Sequence, residues 1–291
     1  MSNSCIVCLD STRHAVVVPK VAKSRFDVLH CNNCGLEYLH PQPTWQEIEQ
    51  IYSSDYYATW DMKDGEKEST GKMKRLTFRR RLAELRRFVS SGRILDIGTA
   101  TGFFLDEVRI DGSFEPYGVE VSTYAGSIAQ SKFGADRIHI GTLETAPFEP
   151  DFFSAVAMSD LIEHVQDPRQ TLQGVHRILH KGGVAMIMTP DSASPTRRGM
   201  GARWTHFKLE HLFYFSPKAM HLLAAECGFE VLSLTRARKV MTLKYLGDQL
   251  QTYRHPLLTP ASRALNLALY PLRTRPFPIT MGEMLVFLRK K

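Results

Sequence analysis

The sequence lacks a long apolar run: none of its apolar segments reaches the roughly 18 residues that a membrane-spanning helix needs. We also expect no secretory signal, because the amino terminus is polar and carries cysteines where a signal's apolar core would lie. With 43% hydrophobic and 23% charged residues, the composition is typical of a globular protein and excludes a disordered or fibrous chain. We therefore expect a cytoplasmic protein with one large domain, or a large domain and a small appendage.

Acidic residues are scarce in two segments, although the whole chain carries 30 of them against 37 Lys and Arg. Lys72–Phe88 and Arg236–Arg275 each hold eight basic residues and one acid, so the rest of the chain sums to −7. Two basic surfaces on an acidic body favour contact with phosphate, nucleic acid or a membrane surface. The alternative is that both are solvated helix faces.

Cysteine is also scarce, but its placement is informative. Four of the five cysteines form two pairs with two residues inside each pair: Cys5, Cys8, Cys31 and Cys34. Both thiolates of such a pair can reach one tetrahedral ion, and Gly35 suits the tight turn that follows. We expect a closed four-cysteine site for structural Zn²⁺, a zinc ribbon over residues 1–43; disulfides are the less favoured alternative in a cytosolic chain. Cys227 is expected to be a core thiol.

Residues 44–91 are expected to form a helical cover or connector. Thr44 reads as a helix N-cap with Glu47 as its capping-box partner. Asp61–Gly71 is charged and has no apolar periodicity, which favours a mobile connector. A basic helix follows it, with a buried stripe at helical spacing formed by Phe78, Leu82, Leu85 and Val89.

From Gly92 onward, short apolar strands alternate with helices. Seven strands are predicted, at 93–97, 117–121, 137–140, 155–158, 184–188, 230–234 and 283–288. One helix is well marked, with Asp167 as N-cap, Pro168 at its first position and Gly182-Gly183 at its far end. Strands separated by helices predict an α/β fold whose mostly parallel sheet is covered on both faces.

The glycine turn after the first of these strands does not follow the dinucleotide pattern G-x-G-x-x-G, which argues against NAD. Instead, Ile94-Leu-Asp-Ile-Gly-Thr-Ala-Thr-Gly102 resembles motif I of the class I S-adenosylmethionine (SAM) methyltransferases. In that family, an acid at the position of Glu120 binds both ribose hydroxyls, and a carboxylate can accept from two vicinal hydroxyls. By the same resemblance, Asp96 anchors the methionine amino group directly or through water.

Two more segments resemble this family: Phe153 to Pro168 is similar to its fourth-strand motif and Lys181 to Pro190 to its fifth strand. The resemblance implies a Rossmann-like, seven-stranded sheet over residues 92–291. The cofactor residues that it implies are Asp96, Gly98, Thr99, Ala100, Gly102, Glu120, Val121, Thr142, Leu143, Asp160 and Leu161. Many relatives carry Gly-Asp where this chain has Gly141-Thr142, so an adenine contact there must use the backbone or a hydroxyl.

The amino-terminal part resembles the zinc-ribbon methyltransferases found among natural-product and deoxysugar-modifying enzymes, which share the CxxC pairs and a segment like Tyr56-Tyr57. These tyrosines are expected either to cover the SAM methionine end or to pack the ribbon onto the main domain. In the sugar C-methyltransferases of that group, a Glu-His pair like Glu210-His211 lies near the substrate. Those enzymes carry a further large carboxy-terminal domain, whereas this sequence ends near the end of the methyltransferase fold.

His211 is the predicted general base, because a histidine titrates near neutral pH. Glu210 either orients it, binds substrate or secures the loop; a structural role for His211 near the helix start at Ser216-Pro217 is the alternative. His206 is the second candidate base. Glu163 and His164 are expected to serve the cofactor end or helix packing, with catalysis by His164 as the alternative. Asp160 is expected to be an N-cap beside the cofactor, with an acid catalyst as the alternative.

Residues 236–280 read as an insertion that caps an anionic, partly lipidic substrate, rests on a membrane surface or forms a dimer interface. The leading expectation is methyl transfer to oxygen or carbon of a small-molecule, sugar or lipid-linked acceptor. The alternatives are a ribosomal or transfer RNA methyltransferase, which the basic pI favours, and a SAM-binding scaffold without catalysis.

Overall fold

A computed structural model describes residues 4–16, 18, 25–44, 46–47, 64–253 and 258–291. Tyr56 and Tyr57 lie outside these residues, so their role stays a prediction. The strands are β1 (Arg13–Val16), β2 (Asp27–Cys31), β3 (Glu37–His40), β4 (Gly92–Ile97), β5 (Phe114–Glu120), β6 (Ile138–Ile140), β7 (Phe153–Ser159), β8 (Leu179–Pro190), β9 (Phe213–Tyr214), β10 (Phe229–Arg236), β11 (Lys239–Met241), β12 (Phe277–Ile279) and β13 (Glu283–Lys290).

The α-helices are α1 (Asp64–Leu85), α2 (Phe103–Asp111), α3 (Thr123–Phe133), α4 (Pro168–Ile178), α5 (Pro195–Met200), α6 (Pro217–Glu226), α7 (Leu243–Tyr253) and α8 (Leu258–Ala268). Short 3-10 turns lie at Gly201–Arg203 and Tyr270–Leu272. None of the described helices is long and apolar enough to cross a membrane.

The central sheet has seven strands in the order β10-β13-β8-β7-β4-β5-β6. Its β4, β5, β6, β7 and β8 are mutually parallel, while β13 runs antiparallel to both of its neighbours. Each of the seven predicted strands overlaps one of these, and the predicted α/β fold with a mostly parallel sheet is confirmed. Because parallel strands end at the same edge, the segments that follow β4, β5, β7 and β8 converge there.

The amino-terminal strands form a second sheet in the order β1-β2-β3-β9, and β9 comes from the main domain. Glu37 pairs with Tyr214 and Tyr38 with Phe213 in the β3–β9 ladder. A buried ion pair between Arg197 Nη2 and Glu37 Oε1, at 3.0 Å, adds to this contact. The cysteine-bearing segment is therefore joined to the main domain by strand pairing, not by a linker alone.

Helix α1 packs in the same core as the central sheet: Leu82 and Leu85 are buried together with Ile94 of β4 and Phe104 of α2. The expected connector at Asp61–Gly71 is wrong from Asp64 on, because α1 begins there. Glu and Lys are good helix formers, so the segment needs no apolar periodicity to be helical. The predicted domain boundaries after residues 43 and 91 stay predictions. Helix α1 nevertheless shares its core with the strands that follow residue 91.

Two details of the predicted turns are wrong. Helix α4 has the predicted N-cap Asp167, but it ends at Ile178, and Gly182-Gly183 lie inside β8. Asp160 is not a helix N-cap, because a turn follows it in which the His164 amide donates to the Leu161 carbonyl at 2.8 Å. The capping box is confirmed: the Thr44 amide donates to Glu47 Oε2 at 2.8 Å.

The segment between β10 and β13 adds β11 and β12, which pair antiparallel, and helices α7 and α8. It is tied to α1 because the Val240 amide donates to Thr77 Oγ1 at 2.8 Å. Its β11 also delivers Lys239 to the carboxyl edge of the sheet, 3.6 Å from Asp160.

Candidate active site

The glycine turn lies at the carboxyl end of β4. Gly98, Ala100 and Gly102 all have positive φ, of 77°, 48° and 85°. The amides of Gly98 and Thr99 both donate to the Val119 carbonyl, at 2.9 and 3.1 Å, which fixes the turn against β5. A Cβ on Gly102 would lie 2.7 Å from the Phe133 ring, so glycine is required there by both conformation and space.

Glu120, at the end of β5, is 5% exposed and held by two backbone amides. Ala100 N donates to its Oε2 at 2.8 Å and Ser122 N to its Oε1 at 2.9 Å. Burial raises the pKa of Glu120, and the two amides act in the opposite direction. Each carboxylate oxygen keeps a further lone pair, so the arrangement can accept two vicinal hydroxyls of a ligand.

Asp96 is the last acid of β4 and is 4% exposed. Burial raises the pKa of Asp96 to about 7, and the negative charge of Glu120 adds to the effect. A cationic ligand group beside it would stabilise the carboxylate and reverse the shift. The pair of buried acids at two adjacent strand ends thus suits a ligand that carries both hydroxyls and a positive charge.

The other predicted cofactor residues surround this turn. Leu161 packs on it, since a Cβ on Gly98 would lie 3.1 Å from Leu161 Cδ1. Val121 is 55% exposed and Leu143 is buried. The Thr142 amide is used within its own turn, donating to Thr145 Oγ1 at 3.1 Å.

Asp160 follows β7 with φ of 54° and its side chain is 46% exposed. Partial loss of hydration by itself would raise the pKa of Asp160, but the charges of Lys239 and Arg81 outweigh it and lower the pKa. Lys239 also contacts the buried Glu283 at 2.6 Å, and although burial opposes it, the two acids raise the pKa of Lys239. Sequence reasoning missed Lys239 and Glu283: nothing in the local pattern separates Lys239 from surface basic residues, and only the β13 register carries Glu283 to this edge.

A cluster of Glu163, His164 and His211 lies beside this edge, with one ligand atom of each within 4.8 Å of the others. Glu163 accepts a hydrogen bond from Thr189 Oγ1 at 2.9 Å. Loss of hydration raises the pKa of Glu163 to about 8 and lowers that of His164 to about 4. The ring centroids of His164 and His211 are 4.6 Å apart.

His211, the predicted base, is 5% exposed, and burial lowers its pKa well below the usual value. Glu210 does not orient it by an identified hydrogen bond: its backbone carbonyl contacts His164 Nδ1 at 2.9 Å and its carboxylate lies 3.5 Å from Lys208 Nζ. His206 contacts the Met281 carbonyl at 3.3 Å and Glu283 at 3.5 Å. His211 and Glu210 are thus adjacent in the chain but face different partners.

The four paired cysteines also converge. Their sulfurs lie within 4.8 Å of one another, with Cys5–Cys34 at 3.6 Å and Cys8–Cys31 at 3.4 Å. A tetrahedral ion with Zn–S bonds of about 2.3 Å places its sulfurs about 3.8 Å apart, so the donor set fits zinc. The hydrogen bond to Cys34 lowers the pKa of Cys5 to about 5. Cys227 is buried and lies apart from the cluster.

Comparison with known proteins identifies the region around the glycine turn. A family model described as "Methyltransferase domain" matches residues 70–234, more than half of the chain. The match begins inside α1 and ends in β10, so it includes both buried acids and the Glu163–His164–His211 cluster.

Individual relatives are more distant. An uncharacterized protein of Methanocaldococcus jannaschii is 24% identical over 55% of this chain and 76% of its own length. A ubiquinone/menaquinone biosynthesis C-methyltransferase of Geotalea uraniireducens is 31% identical over 44% of this chain, and the match spans 54% of that enzyme. Among solved structures, a SAM-dependent methyltransferase of Thermotoga maritima, 20% identical, matches with a TM-score of 0.53 over 85% of this chain and 100% of its own.

Proposed function

Because this chain belongs to the methyltransferase-domain family and is a SAM-dependent methyltransferase, we propose that it methylates an oxygen or carbon of a small-molecule acceptor. The observation that carries the proposal is the pair of buried acids at adjacent strand ends. Glu120 would hold the ribose hydroxyls of SAM and Asp96 its methionine ammonium group. Gly98, Thr99, Ala100 and Gly102 would close the backbone on the cofactor, while Val121, Thr142, Leu143, Asp160 and Leu161 would line it.

A small acceptor is favoured over RNA by the state of the basic helix α1. Two of its arginines pair with acids of this chain, Arg79 with Glu107 at 2.9 Å and Arg80 with Glu84 at 3.4 Å, and Arg86, just after the helix, pairs with Asp111 at 2.7 Å. Arg81 is buried. Much of the helix's positive charge is therefore neutralised within the fold, and this weakens the phosphate attraction that RNA binding needs.

The curated relatives named as quinone C-methyltransferases support a small-molecule acceptor, although the chain spans about half of their length. A sulfonium methyl is already activated, so the protein must mainly align the acceptor and remove its proton. We assign removal of the acceptor's proton to the site that contains His211. Lys208, which lies 3.5 Å from the carboxylate of Glu210, would hold that side chain on the acceptor side. The proposal extends to the cysteine cluster, which would hold a structural Zn²⁺.

Single-turnover transfer from methyl-labelled SAM tests the part of the proposal that concerns the acceptor. Phenolic, quinol, sugar, lipid-linked and RNA acceptors would be offered to the wild type and to His211→Ala. We expect transfer to one of the small acceptors, a loss of at least 100-fold in His211→Ala, and SAM affinity within a few fold of wild type by calorimetry. Unchanged turnover in His211→Ala, or transfer to RNA alone, would contradict the assignment.

A further inference from the structure

The Glu163–His164–His211 cluster joins two parts of the chain that are far apart in sequence. Glu163 and His164 lie in the turn after β7, whereas His211 precedes β9. Backbone contacts hold the two parts together, because the Leu212 amide donates to the Glu163 carbonyl at 2.8 Å. The spacing of the three side chains is therefore fixed by the fold.

Two buried polar atoms of the cluster have no partner. Glu163 is 0% exposed, and its Oε1 makes no hydrogen bond, while Oε2 accepts from Thr189. His211 is 5% exposed, and its Nδ1 is likewise unsatisfied. Leaving buried polar groups unpaired is unfavourable, so a fold that keeps these two close together points to a ligand that pairs with both.

The third side chain has the hydrogen bond expected of a metal ligand. His164 Nδ1 lies 2.9 Å from the Glu210 carbonyl, and since a carbonyl can only accept, Nδ1 carries the proton. The lone pair of the imidazole is then on Nε2. Metal-binding histidines commonly fix their tautomer by donating the other ring N–H to a backbone carbonyl in this way.

We propose that Glu163, His164 and His211 bind a divalent transition-metal ion, a site separate from the cysteine cluster. Two imidazoles and one carboxylate suit borderline ions such as Mn²⁺, Fe²⁺, Co²⁺ or Zn²⁺ better than Mg²⁺ or Ca²⁺, which prefer oxygen. Three protein ligands also leave coordination positions open for a further group.

The position of the site gives the ion a role that rests on the proposed function. Glu163 and His164 lie two and three residues after Leu161, whose side chain packs on the glycine turn at Gly98. An acceptor hydroxyl bound at an open position would release its proton to water more readily. Its oxygen would then attack the SAM methyl carbon as the carbon–sulfur bond breaks, and the electron pair would stay on sulfur. His211 would act in this step as a ligand and not as the base itself.

Mn²⁺ binding tests the proposal, because Mn²⁺ favours nitrogen and oxygen ligands over thiolates. The full-length protein with zinc already bound would be titrated with Mn²⁺ while the signal of free Mn²⁺ is followed by electron paramagnetic resonance. We expect one Mn²⁺ per chain, and at least tenfold weaker binding in both Glu163→Gln and His211→Asn. The control is His221→Ala, an exposed histidine bonded within its own helix, which should bind Mn²⁺ as the wild type does.

Glu163→Gln keeps the shape of the side chain, so a folded variant is expected, and a thermal melt by circular dichroism would check it. No Mn²⁺ binding by the wild type, or equal binding by folded Glu163→Gln, would overturn the proposal. SAM titration of the same samples separates the two ideas: SAM binding without Mn²⁺ binding removes only the metal site, and absence of SAM binding removes the proposed function.

Discussion

The buried carboxyl of Asp96 makes cofactor binding depend on pH. Since burial raises the pKa of Asp96 to about 7, the carboxyl is protonated in much of the ligand-free protein at pH 6. Because the proposed function places the ammonium group of SAM on this carboxylate, the dissociation constant of SAM should rise up to tenfold for each pH unit below 7. Calorimetry between pH 6 and 8.5 measures this, and Asp96→Asn should bind weakly with no such slope. A flat profile in the wild type would contradict the assignment.

The raised pKa of Asp96 also makes the free energy of unfolding depend on pH, but here low pH is favourable, whereas it weakens SAM binding. An acid whose pKa is higher in the folded state favours folding while it is protonated. This contribution is complete below the unfolded value of 3.8 and is lost as the pH rises through 7. The ligand-free Asp96→Asn protein should therefore melt a few degrees above the wild type at pH 8 and match it near pH 4.

Substituting alanine for each of the two glycines that flank α2 distinguishes the cost of backbone strain from the cost of a steric clash. Gly102 and Gly112 both have positive φ, of 85° and 74°, but a Cβ on Gly112 meets nothing within 4 Å. Gly112→Ala should cost about 1 kcal/mol of unfolding free energy. Gly102→Ala should cost more, because the Cβ would lie 2.7 Å from the Phe133 ring, and it alone should weaken SAM binding. Urea unfolding measures the difference; equal costs would show that the Phe133 contact relaxes freely.

At the residue scale, the sequence predicts the part of the candidate site whose residues lie close together in the chain. The glycine turn, Asp96 and Glu120 could be predicted because they lie on consecutive strand ends within 24 residues. Lys239 and Glu283 could not, because a β11 turn and the β13 register bring them to Asp160. The N-cap predicted for Asp160 is wrong, because a turn whose first residue has positive φ and a helix start can carry the same sequence pattern.

At the scale of elements, the cysteine-bearing segment is joined by strand pairing to the proposed acceptor side of the site. Its β3 pairs with β9, which directly follows Glu210, His211 and Leu212. Loss of Zn²⁺ should therefore loosen β9 and impair the acceptor side more than SAM binding. Cys8→Ser should lose zinc, lower the melting temperature and reduce transfer at least tenfold while SAM affinity changes only a few fold.

Zinc content by mass spectrometry and SAM titration by calorimetry measure both effects. The matched control is Cys227→Ser, a buried thiol outside the cluster, which should keep one zinc per chain. If Cys8→Ser keeps full transfer and stability, β3–β9 pairing does not depend on the metal.

Apolar runs bounded by turns predict the positions of all seven strands of the central sheet. The strand ends are predicted less accurately: β8 starts at Leu179 and not Val184, because Leu179 pairs with Phe153 across a register shift that takes in Gly182 and Gly183. The start of α1 was missed because its first turns carry no apolar stripe. Periodicity predicts a helix only where apolar residues recur at helical spacing, so it gives no signal over a stretch of charged residues.

At the scale of the whole molecule, three parts meet at one edge of the sheet. The main domain supplies the two buried acids, the cysteine-bearing segment braces the strand next to His211, and the segment between β10 and β13 supplies Lys239. The candidate site is thus built across the chain: the glycine turn and the two acids lie close together in sequence and could be read from local motifs, whereas Lys239 and Glu283 come from distant segments and could not.

Calorimetric titration of the zinc-loaded protein with SAM and with NADH tests the central claim most directly, repeated on Asp96→Ala and Glu120→Ala. The account predicts micromolar SAM binding that both substitutions weaken at least tenfold, through loss of charge-assisted hydrogen bonds, and no heat from NADH. A folded sample that binds NADH, or that binds SAM equally well after both substitutions, would contradict it.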